Sequence, residues 1–197
     1  MGTDREAVEL TGEQVAGADG CIGVTSLARG KRRAASPRCS ATPFGNKRMK
    51  VTYKHTNLIA RDWCALARFY EDVFGCVRVP PERHLSGAWL ERGTGVRARG
   101  LSGVHLRLSG HGDAGPTLEI YQYSENDVKP EPSANREGFG HVAFEVEDVA
   151  EALEKVRKHG GGALGEVTFH EVEGAGRLTF VYATDPEGNI VELQSWE

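Results

Sequence analysis

From residue 53 onward, polar and apolar positions alternate in short runs, and twice the spacing switches to that of a helix. Residues 53–60 are rich in Thr, Tyr and Ile, and a period of two places Tyr53, His55, Asn57 and Ile59 on one face of a strand. Asp62 then precedes Trp63, Leu66, Phe69, Tyr70, Val73 and Phe74, which form one helical stripe ended by Gly75. A strand begins at 77–79 and is expected to stop at Pro80-Pro81. Residues 82–99 are predicted as a short strand and a loop. Alternation returns at 104–108 and 117–123, on either side of a turn at 111–116.

The same order then recurs. Residues 140–146 form a strand with His141, Ala143 and Glu145 on one face and Val142, Phe144 and Val146 on the other. Asp148 with Glu151 makes a capping-box pattern, Val149, Leu153 and Val156 line the helix stripe, and the run stops at His159-Gly160-Gly161-Gly162. Residues 165–169 and 177–184 are expected strands, Asp185-Pro186-Glu187-Gly188-Asn189 is a turn, and 190–196 is the last strand. In both copies a histidine lies seven residues before the capping aspartate, and thirteen residues separate that aspartate from a glycine. Each copy closes on a glutamate between aliphatics: Leu118-Glu119-Ile120 and Val191-Glu192-Leu193. The expected architecture is an α+β fold of two βαβββ modules, about 51–125 and 138–197, joined by a connector with Pro130 and Pro132. Their strands would form a curved, barrel-like mixed sheet with the helices on the outside.

Residues 1–50 carry no such period, and Phe44 is their only aromatic. They are expected to be a disordered or extension segment with Met49 as the natural start, because so little apolar surface cannot offset the entropy of ordering. The domain is therefore expected to span 51–197. The first 50 residues hold nine Lys/Arg against five Asp/Glu, and the remainder fifteen against twenty-three, a net of −8. That balance disfavours a nucleic-acid partner for the folded part. No apolar run approaches the roughly 20 residues that span a bilayer, so no membrane partner is expected. The four cysteines (Cys21, Cys39, Cys64 and Cys76) form no CxxC pair, and without an apolar leader they are expected to be reduced thiols of a cytoplasmic protein.

The repeat concentrates the chemistry. Glu119 and Glu192 point opposite to their aliphatic neighbours, away from the helices and into the cleft, where a lone carboxylate would be costly without a cation. His55, Glu119, His141 and Glu192 together form a nitrogen/oxygen set suited to a divalent Ni, Co, Zn, Mn or Fe ion. The set has too few hard oxygens for a calcium cage and no thiolate for a structural zinc site. A single strand histidine would be weak evidence; its recurrence with a glutamate in two divergent copies carries the reading. His84 and His105 are placed on loop and strand surfaces, with reach to a substrate as the alternative, and His111, His159 and His170 at turns or termini.

With these motifs, residues 51–197 resemble the vicinal oxygen chelate superfamily, which includes glyoxalase I, methylmalonyl-CoA epimerase, extradiol dioxygenases and bleomycin-resistance proteins. The resemblance runs through His55, Phe74-Gly75, Gly115-Pro116-Thr117-Leu118-Glu119, Gly140-His141-Val142-Ala143-Phe144 and Asp185-Pro186-Glu187-Gly188-Asn189-Ile190-Val191-Glu192. It implies His55, Glu119, His141 and Glu192 as metal ligands and Glu192, with Glu119 as the alternative, as the catalytic carboxylate that moves a proton beside a carbonyl. The expected protein is a homodimeric, metal-dependent enzyme acting on a small-molecule substrate. A glyoxalase I-like lyase converting a hemithioacetal to a thioester leads. An acyl-CoA or 2-oxo-compound epimerase is the alternative, a non-catalytic protein sequestering a small molecule or antibiotic is another, and a dioxygenase fits less well.

Overall fold

The computed structural model describes residues 49–97 and 99–197, so the expectation of a disordered extension before Met49 lies outside the described residues. The first module runs β1 (His55–Ile59), α1 (Trp63–Phe74), β2 (Val77–Leu85), α2 (Ala88–Thr94), β3 (Leu101–Arg107) and β4 (Thr117–Tyr123). The second runs β5 (Val142–Glu145), α3 (Val149–Lys158), β6 (Gly162–Ala163), β7 (Thr168–Val172), β8 (Gly176–Thr184) and β9 (Ile190–Trp196). The strand orders are β1-β4-β3-β2 and β5-β9-β8-β6, with β7 also pairing β8. In each sheet the first strand is parallel to the last, and the other pairings are antiparallel. The α+β class and the duplicated modules are as expected, but the two sheets stay separate and do not close into a barrel.

Local chemistry sets the helix bounds. Asp62 accepts from the Ala65 amide at 3.0 Å and Asp148 from the Glu151 amide at 2.9 Å, each satisfying an amide that the first turn leaves unpaired. Gly75 ends α1 at φ 66°, a left-handed conformation in which a side chain would be strained.

Three segments differ from expectation, the first being the strand expected at 165–169, in whose place β6 and β7 pair β8 on either side of an irregular stretch. β2 continues through Pro80-Pro81, a cis peptide, where its register with β3 shifts between Val79 and Arg83. Proline supplies no amide, and the irregular register lets both rings sit where no ladder donor is needed. Residues 88–94 form a short helix rather than a loop. A two-turn element is too brief for helical periodicity to register, and tertiary burial of Leu90 against Leu101 and Tyr121 holds it in place.

The helix-covered faces of both sheets share one core. Leu66, Tyr70, Leu118 and Ile120 from the first module meet Val156, Val181, Val191 and Leu193 from the second. Phe74 stacks on Phe144 with ring centroids 4.0 Å apart and planes at 8°. The side chains on the other face of each sheet therefore lie outside this core. Among the described residues no helix is long and apolar enough to cross a membrane.

Candidate functional site

Strand alternation delivers the predicted glutamates as the sequence suggests. Leu118 and Ile120 are buried under α1, as Val191 and Leu193 are under α3, so Glu119 and Glu192 project from the opposite, open faces. Both carboxylates are nonetheless largely covered, at 12% and 15% exposed, which makes polar neighbours necessary.

Those neighbours are histidines. His55 Nδ1 lies 3.3 Å from Glu119 Oε1, and His141 Nε2 lies 2.8 Å from Glu192 Oε2. The structure thus brings the four predicted residues together in two pairs, one per sheet. It does not gather them into one group, and among the described residues no three or more His, Cys, Asp or Glu side chains are arranged to hold a metal ion. Each pair taken alone fits as half of a site. Two ligand atoms held at roughly a right angle by an ion about 2.1 Å from each stand roughly 3 Å apart, and one imidazole with one carboxylate is a borderline set suited to Ni, Co, Zn, Mn or Fe.

The first sheet adds groups that the sequence analysis placed on a surface. His105 on β3 lies opposite Glu119 in the antiparallel register. Its Nε2 stands 2.9 Å from Glu119 Oε1 and 3.0 Å from the Tyr121 hydroxyl, and its Nδ1 is 3.5 Å from Thr117 Oγ1. On the other side of β4, Asn57 Nδ2 donates to Glu119 Oε2 at 3.4 Å. Burial lowers the His105 pKa below that of an ordinary histidine, with the nearby Glu119 charge opposing it. Burial also raises Tyr121, and Glu119 reinforces the rise. The alternation of 104–108 already put His105 on the face opposite Val104 and Leu106. The missing information was the register, because a turn of uncertain length separates β3 from β4.

The second sheet is more aromatic around its pair. Tyr182 faces Glu192 across β8–β9 and stacks obliquely on His141, with ring centroids 5.0 Å apart. Phe180 meets Tyr182 edge to face.

The turn 185–189 proves to join the modules. Asp185, 2% exposed, accepts from the amides of Glu187 (2.9 Å) and Asn189 (2.8 Å), from Asn189 Nδ2 (2.6 Å) and from the Tyr70 hydroxyl on α1 (3.0 Å). Burial pushes its carboxyl above the usual range, with those donors pulling the other way. Glu187 in turn accepts from the amides of Arg61 and Asp62 at 2.7 and 2.9 Å, ahead of α1. Beside this turn is a cavity of about 750 Å³ lined by the connector, Arg61, Lys129 and Glu187, and none of His55, Glu119, His141 or Glu192 lines it. The His/Glu pairs, where titratable groups converge, lie outside this cavity, and its two basic side chains are engaged by the turn, Arg61 with Glu187 and Lys129 with the Glu187 carbonyl and Asn189.

Comparison with known proteins comes to the same fold. A family model described as Glyoxalase/Bleomycin resistance protein/Dioxygenase superfamily matches residues 52–193. A glyoxalase family protein from Bacillus cereus is similar in structure, with 20% identity, a TM-score of 0.59, and coverage of 77% of this chain and 96% of that one. A glyoxalase family protein from Enterococcus faecalis shares 21% identity over 74% of this chain and 96% of that one, with a TM-score of 0.46. No curated protein matches the sequence.

Proposed function

The chain belongs to the glyoxalase/bleomycin resistance/dioxygenase superfamily, and on that premise we propose that it is a divalent-metal-dependent, homodimeric enzyme that moves a proton next to a substrate carbonyl, with a glyoxalase I-like lyase as the specific case. The observation that carries this reading is the duplicated pair: an imidazole nitrogen within 3.3 Å of a carboxylate oxygen on the open face of each sheet. The helix-covered faces of the two sheets are joined in the core of one chain, whereas four ligands require the two open faces to meet. A second copy of the chain supplies the missing face. A two-fold dimer in which the first module of each protomer meets the second module of its partner forms two equivalent sites.

His55, Glu119, His141 and Glu192 hold the ion in this arrangement. When bound, it polarises a substrate oxygen and acidifies the adjacent C–H bond. Glu192 takes the proton from one carbon and returns it to its neighbour, so the carboxylate is regenerated at the end of the cycle. Tyr182 and Phe180 line the approach and exclude water from the carboxylate, which strengthens its electrostatic effect.

The test is metal analysis of purified protein beside Glu119→Gln and His141→Ala, followed by assay with the hemithioacetal of methylglyoxal and a thiol. Near-stoichiometric metal in the wild type, lost in both variants, together with thioester formation, is the expected result. Folded protein that stays metal-free after supplementation with nickel, cobalt, zinc, manganese and iron would overturn the proposal in favour of a small-molecule binder.

A further inference from the structure

The two carboxylates occupy equivalent places in the repeat, yet the residues flanking them across the sheets differ. Glu119 on β4 has Asn57 opposite it on β1 and His105 opposite it on β3. Glu192 on β9 has Ala143 opposite it on β5 and Tyr182 opposite it on β8. The open face of the first sheet therefore offers its glutamate two nitrogen-bearing neighbours, and the second offers a methyl group and a phenol ring. Among the described residues the polar side-chain contact of Glu192 is with His141. Glu119 has three such contacts: His55 and His105 on Oε1 and Asn57 on Oε2.

His105 itself is held. Its ring engages three polar side chains on the open face of β4, with Nδ1 near Thr117 Oγ1 and Nε2 near both Glu119 Oε1 and the Tyr121 hydroxyl. The Tyr121 ring meets it edge-on at 88°. A ring fixed at three points cannot swing away from Glu119 without losing its other contacts. Side chains that orient a ligating carboxylate in this way commonly account for about 10–100-fold of metal affinity.

We propose that His105 is a positioning residue that clamps Glu119 as the fixed carboxylate of the site. This rests on the functional reading given above, since it presumes that Glu119 binds the ion. It assigns a role to a residue outside the repeated quartet and gives the two halves of the site different duties: one carboxylate is braced on both oxygens, the other is not.

The experiment titrates the full-length dimer with Co²⁺, whose visible absorption reports coordination directly and without turnover. The series is wild type, Glu119→Gln, His105→Ala and His105→Gln. The expected result is Co²⁺ binding weakened about 10–100-fold in His105→Ala. His105→Gln keeps an N–H donor and is expected to recover most of that loss, which a general packing defect would not allow. If Glu119→Gln weakens Co²⁺ while His105→Ala binds it as tightly as wild type, the clamp falls and the metal site stands. If wild type shows no Co²⁺ spectrum, the functional reading fails first and the clamp with it.

Discussion

Tyr70 donates its hydroxyl proton to Asp185, a carboxylate 2% exposed and 115 residues away in sequence. Hydrogen bonds to charged groups contribute about 1.5–3 kcal/mol, so Tyr70→Phe should destabilise the protein by about that amount, read as a lower urea midpoint at unchanged slope. Asp185 also has a direction with pH. Burial raises its pKa above 3.8 in the folded protein, so the folded state holds the proton at pH values where the unfolded chain has released it. Stability from this group is therefore gained as pH falls through the folded pKa and lost as pH rises through it. Relative to Asp185→Asn, which does not titrate, the wild type should gain stability as pH is lowered from neutrality toward 3.8; a difference that stays flat over that descent would refute the assignment. Cys76, 4% exposed and pushed by burial to about 11, should resist alkylation until the protein unfolds, whereas exposed Cys64 reacts in the native state. Peptide mapping after labelling in and out of urea decides that.

At the scale of elements, the open faces are made by alternation and ordered by register. Gly103 on β3 lies opposite Tyr121, and a Cβ there would stand 2.1 Å from the Ile120 carbonyl oxygen and 2.5 Å from the Tyr121 ring. Neither backbone nor a ring clamped against its neighbours can yield cheaply. Gly103→Ala should cost on the order of 2 kcal/mol or more, and should disturb the Tyr121 and His105 row that borders Glu119. The helices respond differently, because their caps act locally: Asp62→Ala and Asp148→Ala should each cost about 1 kcal/mol. Both kinds of change are readable from thermal melts. Strand alternation, helix stripes and caps were legible in the sequence because each depends on residues within one or two turns of each other. α2 and the passage of β2 through Pro80-Pro81 were not. The helix is stabilised by Leu101 and Tyr121 on other strands, and the prolines are tolerated through a register shift that belongs to the β2–β3 pair rather than to β2 alone.

For the whole molecule, the proposed dimer makes a prediction that no single-chain site shares. In Glu119→Gln the first module is damaged, and in His141→Ala the second. If sites form between protomers, unfolding and refolding the two inactive variants together creates mixed dimers with one site damaged twice and the other intact. Activity should return to roughly a quarter of wild type at equal mixing. If each chain builds its own site, mixing restores nothing. Glu192→Gln, by contrast, should lower kcat by about 10²–10⁴ with a smaller effect on KM, as loss of a proton-transferring group does.

The sequence by itself determined the duplicated order of a strand, a long helix and further strands, the faces on which His55, Glu119, His141 and Glu192 lie, and the caps that start the two long helices. All of these follow from periods of 2 and 3.6 and from short-range hydrogen bonding, which a linear reading contains. Only the tertiary structure decided that the four residues form two separate pairs, that His105 stands against Glu119, and that Asp185 reaches Tyr70 in the other module. Those facts depend on strand register and on which faces of the two sheets share the core. Both are settled by the packing of residues far apart along the chain, where spacing carries no information.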